Sequence, residues 1–334
     1  MTASTLTAPR ARTAGRLGRT VAAALAAVAL AVSAVPAAAA DGTDPAGGKP
    51  TVVLVHGAFA DASGWNGVAQ RLRSDGYQVV VPANPLRGLA GDSAHLAGEL
   101  KGVRGPIVLV GHSYGGAVIG HAAAGNAQVK SLVFVSAFMP DKGESLSDLG
   151  ARFTGGGLNS ALRPKPFKKA DGTEGTDLSV HPDRFRDVLA ADLPSDTAAR
   201  LAAAQRPISG DAFTEKATAA AWRTIPSWAL VATGDKAVAP DLARFEARRA
   251  KSRMVEVDAS HSAMISRPDA VADLIRQAAG GPSPDTSSLA SMGTGTLVLA
   301  GLGGLAGVAA LTGLGVVAVN RRRRATGGGP DPAL

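Results

Sequence analysis

Residues 106 to 116 read PIVLVGHSYGG, and the fold turns on how this stretch is read. Its first five residues are apolar with no polar alternation, which suits a strand covered on both faces in a parallel sheet. The strand ends near Val110 and a helix begins near Tyr114, so Ser113 falls in a sharp strand-to-helix turn. Such a turn strains the backbone and brings neighbouring elements close, a demand that Gly111, Gly115 and Gly116 meet. The serine hydroxyl is thereby pushed towards the carboxyl end of the sheet, where parallel α/β sheets bind ligands. The helix N-terminus favours negative charge beside it.

Similar apolar runs recur outward from this stretch, at 51–56, 78–82, 131–136, 227–232 and 253–257. Helical stretches separate them around 65–75, 92–102, 114–124, 241–251 and 268–278, with Pro268 near the start of the last and Gly280 near its end. The alternation predicts a doubly wound, mostly parallel α/β sheet. Residues 142–226 break the rhythm. They hold short helical pieces and the turn-rich, basic RPKPFKKADGTEG (163–175), with no clear strand, and are expected to form a helical lid insertion.

The chain has 334 residues and a formal charge of +8, but the charge is concentrated at the ends. Arg10, Arg12, Arg16 and Arg19 open the sequence and Arg321 to Arg324 nearly close it. Setting these eight and Asp331 aside leaves 27 basic and 26 acidic side chains. A near-neutral body argues against a nucleic-acid surface. Residues 1–40 read as a secretory signal peptide, with VAAALAAVALAVSAV (21–35) between a basic leader and small residues near Ala40. Residues 41–49 form a flexible lead-in and 50–280 the folded domain. A Pro/Ser/Gly-rich stalk follows at 281–295, then an uncharged segment at 296–319 and a basic tail at 320–334. The uncharged segment is long enough to span a bilayer as one helix, and the arginines behind it mark a cytoplasmic flank. LASMG (289–293) resembles a wall-sorting signal, but Met292 stands where threonine is needed, which favours a retained membrane anchor. With no cysteine, the chain has neither disulfides nor a lipoprotein anchor.

A serine hydroxyl needs a base. Of the six histidines, His261 is the candidate, in the late carboxyl-end loop VEVDASHSAMISRP. His112 is expected to point away across the turn, and His95, His121 and His181 to be helix, core or lid residues. Asp235, one tight turn past SWALVA, is the candidate to orient the imidazole. Asp141 also follows a strand and stays open as the alternative. Nucleophile, acid and base then follow in the order Ser, Asp, His. Backbone amides of Ala58, in the turn after the first strand, and Tyr114 are the expected oxyanion donors. Phe59, Trp65, Phe138, Met139 and Met264 are candidate walls of an apolar substrate pocket.

VLVHGAFADASGW, LVGHSYGGAVI, ATGDKAVAP and DASHSAMISRPDAVADLI together make residues 50–280 resemble the α/β-hydrolase family, in the small-esterase branch of plant methylesterases and hydroxynitrile lyases. The resemblance implies an α/β-hydrolase fold and a serine esterase with Ser113, Asp235 and His261 as its triad. It also implies a small-molecule ester as substrate, with no metal or cofactor. Lyase members carry lysine directly after the catalytic histidine. Here that position is Ser262, which disfavours cyanohydrin chemistry. A hydrolase-like small-molecule binding protein, or a lyase of the same fold, stays open as the alternative function.

Overall fold

The structure, a computed structural model, describes residues 48–280. The signal peptide, stalk, span and basic tail read from the sequence lie outside those residues. Among the described residues no helix is long and apolar enough to cross a membrane.

The first half of the domain runs β1 (Thr51–Val55), α1 (Asn66–Ser74), β2 (Val79–Val80), α2 (Leu89–Leu100), β3 (Ile107–His112), α3 (Tyr114–Ala122) and β4 (Val129–Val135). The inserted segment contributes α4 (Leu146–Ala151), β5 (Leu162–Lys168), β6 (Glu174–Val180), α5 (Pro182–Leu189), α6 (Ser195–Ala204), β7 (Ile208–Ser209) and α7 (Asp211–Thr214). The domain closes with β8 (Ser227–Ala232), α8 (Pro240–Arg249), β9 (Arg253–Val257), α9 (Ala263–Ser266) and α10 (Pro268–Ala278).

Six strands form one sheet in the order β2-β1-β3-β4-β8-β9, and every pairing is parallel. Side chains alternate between two cores because the strand period is two. Val52, Leu54, Val108 and Val110 face the core under α1 and α10. Val53, Val55, Ile107 and Leu109 face the core shared with α2, α3 and α8. The strand order reverses between β1 and β3, and a reversal of this kind opens a crevice at the carboxyl ends of the two strands.

Two expectations need correction. The run at 78–82 supplies only two ladder residues, Val79 and Val80, because β2 is an edge strand paired on one side. The lid is not purely helical: β5, β6 and β7 form a three-stranded antiparallel sheet. Pro164 and Pro166 hide β5 from a reading by composition, yet an edge strand tolerates prolines because its outer side needs no donors.

One buried polar group stands out on α8. The Glu246 side chain is fully buried, and its Oε1 accepts the Met139 N–H at 2.8 Å. Burial pushes its carboxyl up to about 8.

Candidate active site

Ser113 sits between β3 and α3 with φ 54° and ψ −125°, a conformation that non-glycine residues rarely adopt. Close contacts on every side impose it. A Cβ on Gly111 would lie 2.5 Å from the Gly115 carbonyl oxygen, and one on Gly116 would lie 2.5 Å from that of Phe138. The Ser113 N–H donates to Val135 O (3.2 Å), and its own carbonyl accepts the Phe138 N–H (3.2 Å). The turn is therefore locked to β4 and the loop after it.

His261 bridges Ser113 and Asp235. Its Nε2 lies 2.8 Å from Ser113 Oγ and its Nδ1 lies 2.8 Å from Asp235 Oδ2. A carboxylate facing Nδ1 fixes the tautomer that protonates Nδ1 and leaves Nε2 free to accept the serine proton. All three side chains are buried. The other carboxylate oxygen, Asp235 Oδ1, accepts the N–H groups of Ala237 (2.7 Å) and Val238 (2.9 Å), so the turn after β8 grips the acid. Gly234 N–H donates to Ala259 O at 3.0 Å, tying the acid loop to the histidine loop. Asp141, the alternative acid, pairs instead with Arg223 at the entrance to the lid.

The turn after β1 approaches Ser113 from the other side. A Cβ at Gly57 would lie 2.6 Å from Ser113 Cβ, so only glycine permits the approach. His56 holds this turn. Its Nδ1–H donates to Gly57 O (3.0 Å) while its Nε2 accepts the Asn84 N–H (3.0 Å), and Asn84 Nδ2 donates to His56 O (3.1 Å). Burial lowers the His56 pKa, consistent with a neutral ring in this role. Ala58 follows at the cavity wall. The Tyr114 amide opens α3 and has no partner inside the helix. The Tyr114 hydroxyl, far from reaction, donates to the buried Asp92 Oδ2 at 2.7 Å, and Asp92 also accepts the Arg87 N–H.

His112 does not point away, as its position in sequence suggested. Its Nε2–H donates to the His261 carbonyl at 3.0 Å, and the two rings lie 4.7 Å apart. Trp65 meets the His112 ring edge-on at 6.4 Å. Burial holds His112 well below the ordinary histidine range, and the neighbouring His261 adds to the effect. A neutral ring thus supports the loop that carries His261.

The lid grips the same loop. Ser262 N–H and Oγ–H both donate to Leu189 O, at 3.0 and 2.7 Å, and Ser260 Oγ–H donates to Asp192 Oδ1. The two residues flanking His261 are thereby bonded to the last residue of α5 and to the segment after it.

A cavity of about 50 Å³ opens beside His261, walled by Phe59, Phe185, Leu189, Met264 and Ile265 among others. A larger one, about 790 Å³, is lined by Phe138, beside the nucleophile turn, and by Ala237, beside Asp235, and extends under the lid sheet. Trp65 and Met139 line neither cavity. Trp65 is fully buried in the core under α1, and Met139 is buried with its N–H bound to Glu246. Both are apolar residues whose chain direction turns them inward.

Residues 52–274 match the family model described as "Alpha/beta hydrolase family". The chain belongs to the alpha/beta hydrolase family. Its relatives carry hydrolase and esterase names. This α/β hydrolase is 36% identical over 135 residues to the carbendazim hydrolyzing esterase of Nocardioides sp. (strain SG-4G), a match covering 33% of this chain and 54% of that enzyme. It is 27% identical over 258 residues to the alpha/beta hydrolase nvfD of Aspergillus novofumigatus (strain IBT 16806), covering 70% of this chain and 97% of that protein. Among solved structures, polyneuridine aldehyde esterase shares the fold at a TM-score of 0.61 and 19% identity, with 69% of this chain and 99% of that one covered. A pyrethroid hydrolase from Sphingobium faniae JZ-2 does so at 0.58 and 21%, covering 70% and 98%.

Proposed function

We propose that this hydrolase is exported, anchored to the membrane by one C-terminal helix, and cleaves small-molecule carboxylic esters through an acyl-enzyme on Ser113. The observation that carries the reading is His261 standing 2.8 Å from both Ser113 Oγ and Asp235 Oδ2. In this mechanism His261 Nε2 takes the Ser113 proton as Oγ attacks the ester carbonyl. The Ala58 and Tyr114 amides receive the oxyanion, and Asp235 stabilises the imidazolium as it forms. His261 then hands the proton to the leaving alcohol. Water, activated by the same base, releases the acid and restores Ser113.

Phe59, Phe138 and Met264 contribute apolar walls to the two cavities, which suits neutral organic groups on either side of the ester. Support for export and anchoring comes from the leader at 1–40 and from the uncharged segment at 296–319 with its arginine flank.

A fluorophosphonate probe tests the chemistry directly. Wild-type protein is expected to be labelled and to turn over a panel of esters that includes carbendazim, and Ser113→Ala to lose both properties. Labelling that persists in Ser113→Ala rejects the nucleophile. For the anchor, the full chain is expected in the membrane fraction and a chain ending at Gly281 in the medium. Full-length protein found soluble in the medium rejects it.

A further inference from the structure

Among the described residues, no lysine or arginine lines either cavity beside the triad. The formally charged side chains there are carboxylates: Asp61 in the smaller cavity, Glu174 and Asp211 in the larger. Asp211 is paired with Lys169 at 2.6 Å. Asp61 is in a different situation. Its Oδ1 accepts both the N–H (2.8 Å) and the Oγ–H (2.5 Å) of Ser63, which caps the short helical turn Ala62–Trp65. Those bonds, the Ser63 hydroxyl foremost, hold its carboxyl below the usual range, so Asp61 is ionised. Among the described residues it enters no ion pair, and its second oxygen, Oδ2, accepts no hydrogen bond. The basic side chain that acts on it electrostatically is Arg206, which donates to Asn84 O at 3.1 Å and does not line this cavity.

Asp61 is also well placed. It stands three residues after Ala58, within roughly 10 Å of that amide along the chain, and it shares a cavity with His261. A half-buried carboxylate at this distance acts on whatever charge the substrate carries, and Arg206 compensates it only from outside the wall.

We infer that Asp61 selects substrates by charge, so that this site takes neutral esters, prefers esters bearing an ammonium group, and disfavours those bearing a carboxylate. This rests on the serine-esterase reading above. Attraction between unit charges some 7 Å apart at a partly hydrated wall corresponds to about a tenfold change in binding. The capping role of Asp61 is separable from its charge, because asparagine caps a helical turn equally well.

The test uses the purified full-length chain and matched ester pairs. One pair is choline butyrate and its isostere with carbon in place of the ammonium nitrogen. A second pair carries the same substitution on the acyl side. Expected is a kcat/KM ratio of about ten in favour of the ammonium member of at least one pair, carried by KM and reduced by added salt. In Asp61→Asn the ratio falls to about one. Because the ratio is read within each variant, any general loss from the altered turn cancels. Equal rates within both pairs in the wild type, or a preference that survives in Asp61→Asn, overturns the inference while leaving the esterase standing. Absence of all Ser113-dependent turnover removes the esterase reading, and this inference with it.

Discussion

Strands β3 and β5 illustrate two ways of using a strand. Every residue of β3 is buried, and the strand runs in the middle of a parallel sheet between two apolar cores. Along β5 most residues are exposed, two are prolines, and the strand sits at the edge of a small antiparallel sheet. The first ends in a turn so crowded that glycines at 57, 111, 115 and 116 cannot gain a Cβ without collision. The second ends in a turn at Gly172 (φ 83°) with open space around it. Crowding fixes an atom in place, and Ser113 Oγ is fixed in this way. The lid meets the proposed chemistry from outside the sheet, through bonds to the histidine loop, a bond from Gly157 N–H to Lys236 O beside Asp235, and cavity walls such as Phe185. Reaction geometry therefore belongs to the sheet and substrate choice to the insertion and the cavity walls.

Substitutions can break this division, and the largest effects belong to the sheet side. Ser113→Ala is expected to lower ester turnover by about 10⁵-fold or more with the fold intact, as measured by kcat together with circular dichroism. Asp235→Asn is expected to cost about 10⁴-fold, the scale for replacing a triad acid, while Asp141→Asn, paired with Arg223 at the lid entrance, changes turnover less than about tenfold. The reverse ranking would transfer the acid to Asp141. His112→Leu removes the donor to the His261 carbonyl and is expected to lower kcat by about 100-fold at near-constant KM, with His112→Gln recovering part of it. Equal losses in the two variants would mean that packing, not the hydrogen bond, holds the loop.

The lid side predicts smaller numbers. Asp192→Ala frees Ser260 and is expected to lower kcat about fivefold, the worth of one hydrogen bond, with Ser262→Ala similar. A drop of a thousandfold in either would make the lid part of the reaction geometry. Last comes a change seen in stability alone. Glu246 binds its proton more tightly folded than unfolded, so stability declines as pH climbs from its ordinary 4.5 through about 8. Glu246→Gln keeps an acceptor for Met139 and loses the ionisation. Its melting temperature should exceed that of the wild type at pH 9 and match it near pH 5.

How much of this was open to sequence reading depended on how local the cause was. Strand-end turns have local causes: apolar runs, then GHSYGG, TGD or the SHS of the histidine loop. That let Ser113, Asp235 and His261 be singled out across 148 residues of chain, and the structure brings them within hydrogen-bonding distance. Side-chain direction has non-local causes. Trp65 and Met139 are apolar near the site, but packing against α1 and Glu246 turns them into the core. His112 faces His261 because a loop from the far end of the domain passes over it. The lid sheet was hidden for another reason, since β5 is paired on one side and its composition answers to solvent and not to a ladder.

The connection from β4 to β8 also sets an order of assembly. The turn at Ser113 needs only β1, β3, α3, β4 and the loop as far as Phe138, whereas β8 must find β4 after the whole insertion has been made. Closing so long a loop is entropically costly and slow compared with forming local contacts. A chain emerging from a ribosome therefore carries Ser113 long before Asp235 and His261 arrive. Until they do, the serine is an ordinary alcohol. On the proposed mechanism a nascent or prematurely terminated chain is chemically silent, and hydrolytic power is expected only in molecules whose last strands have been threaded home.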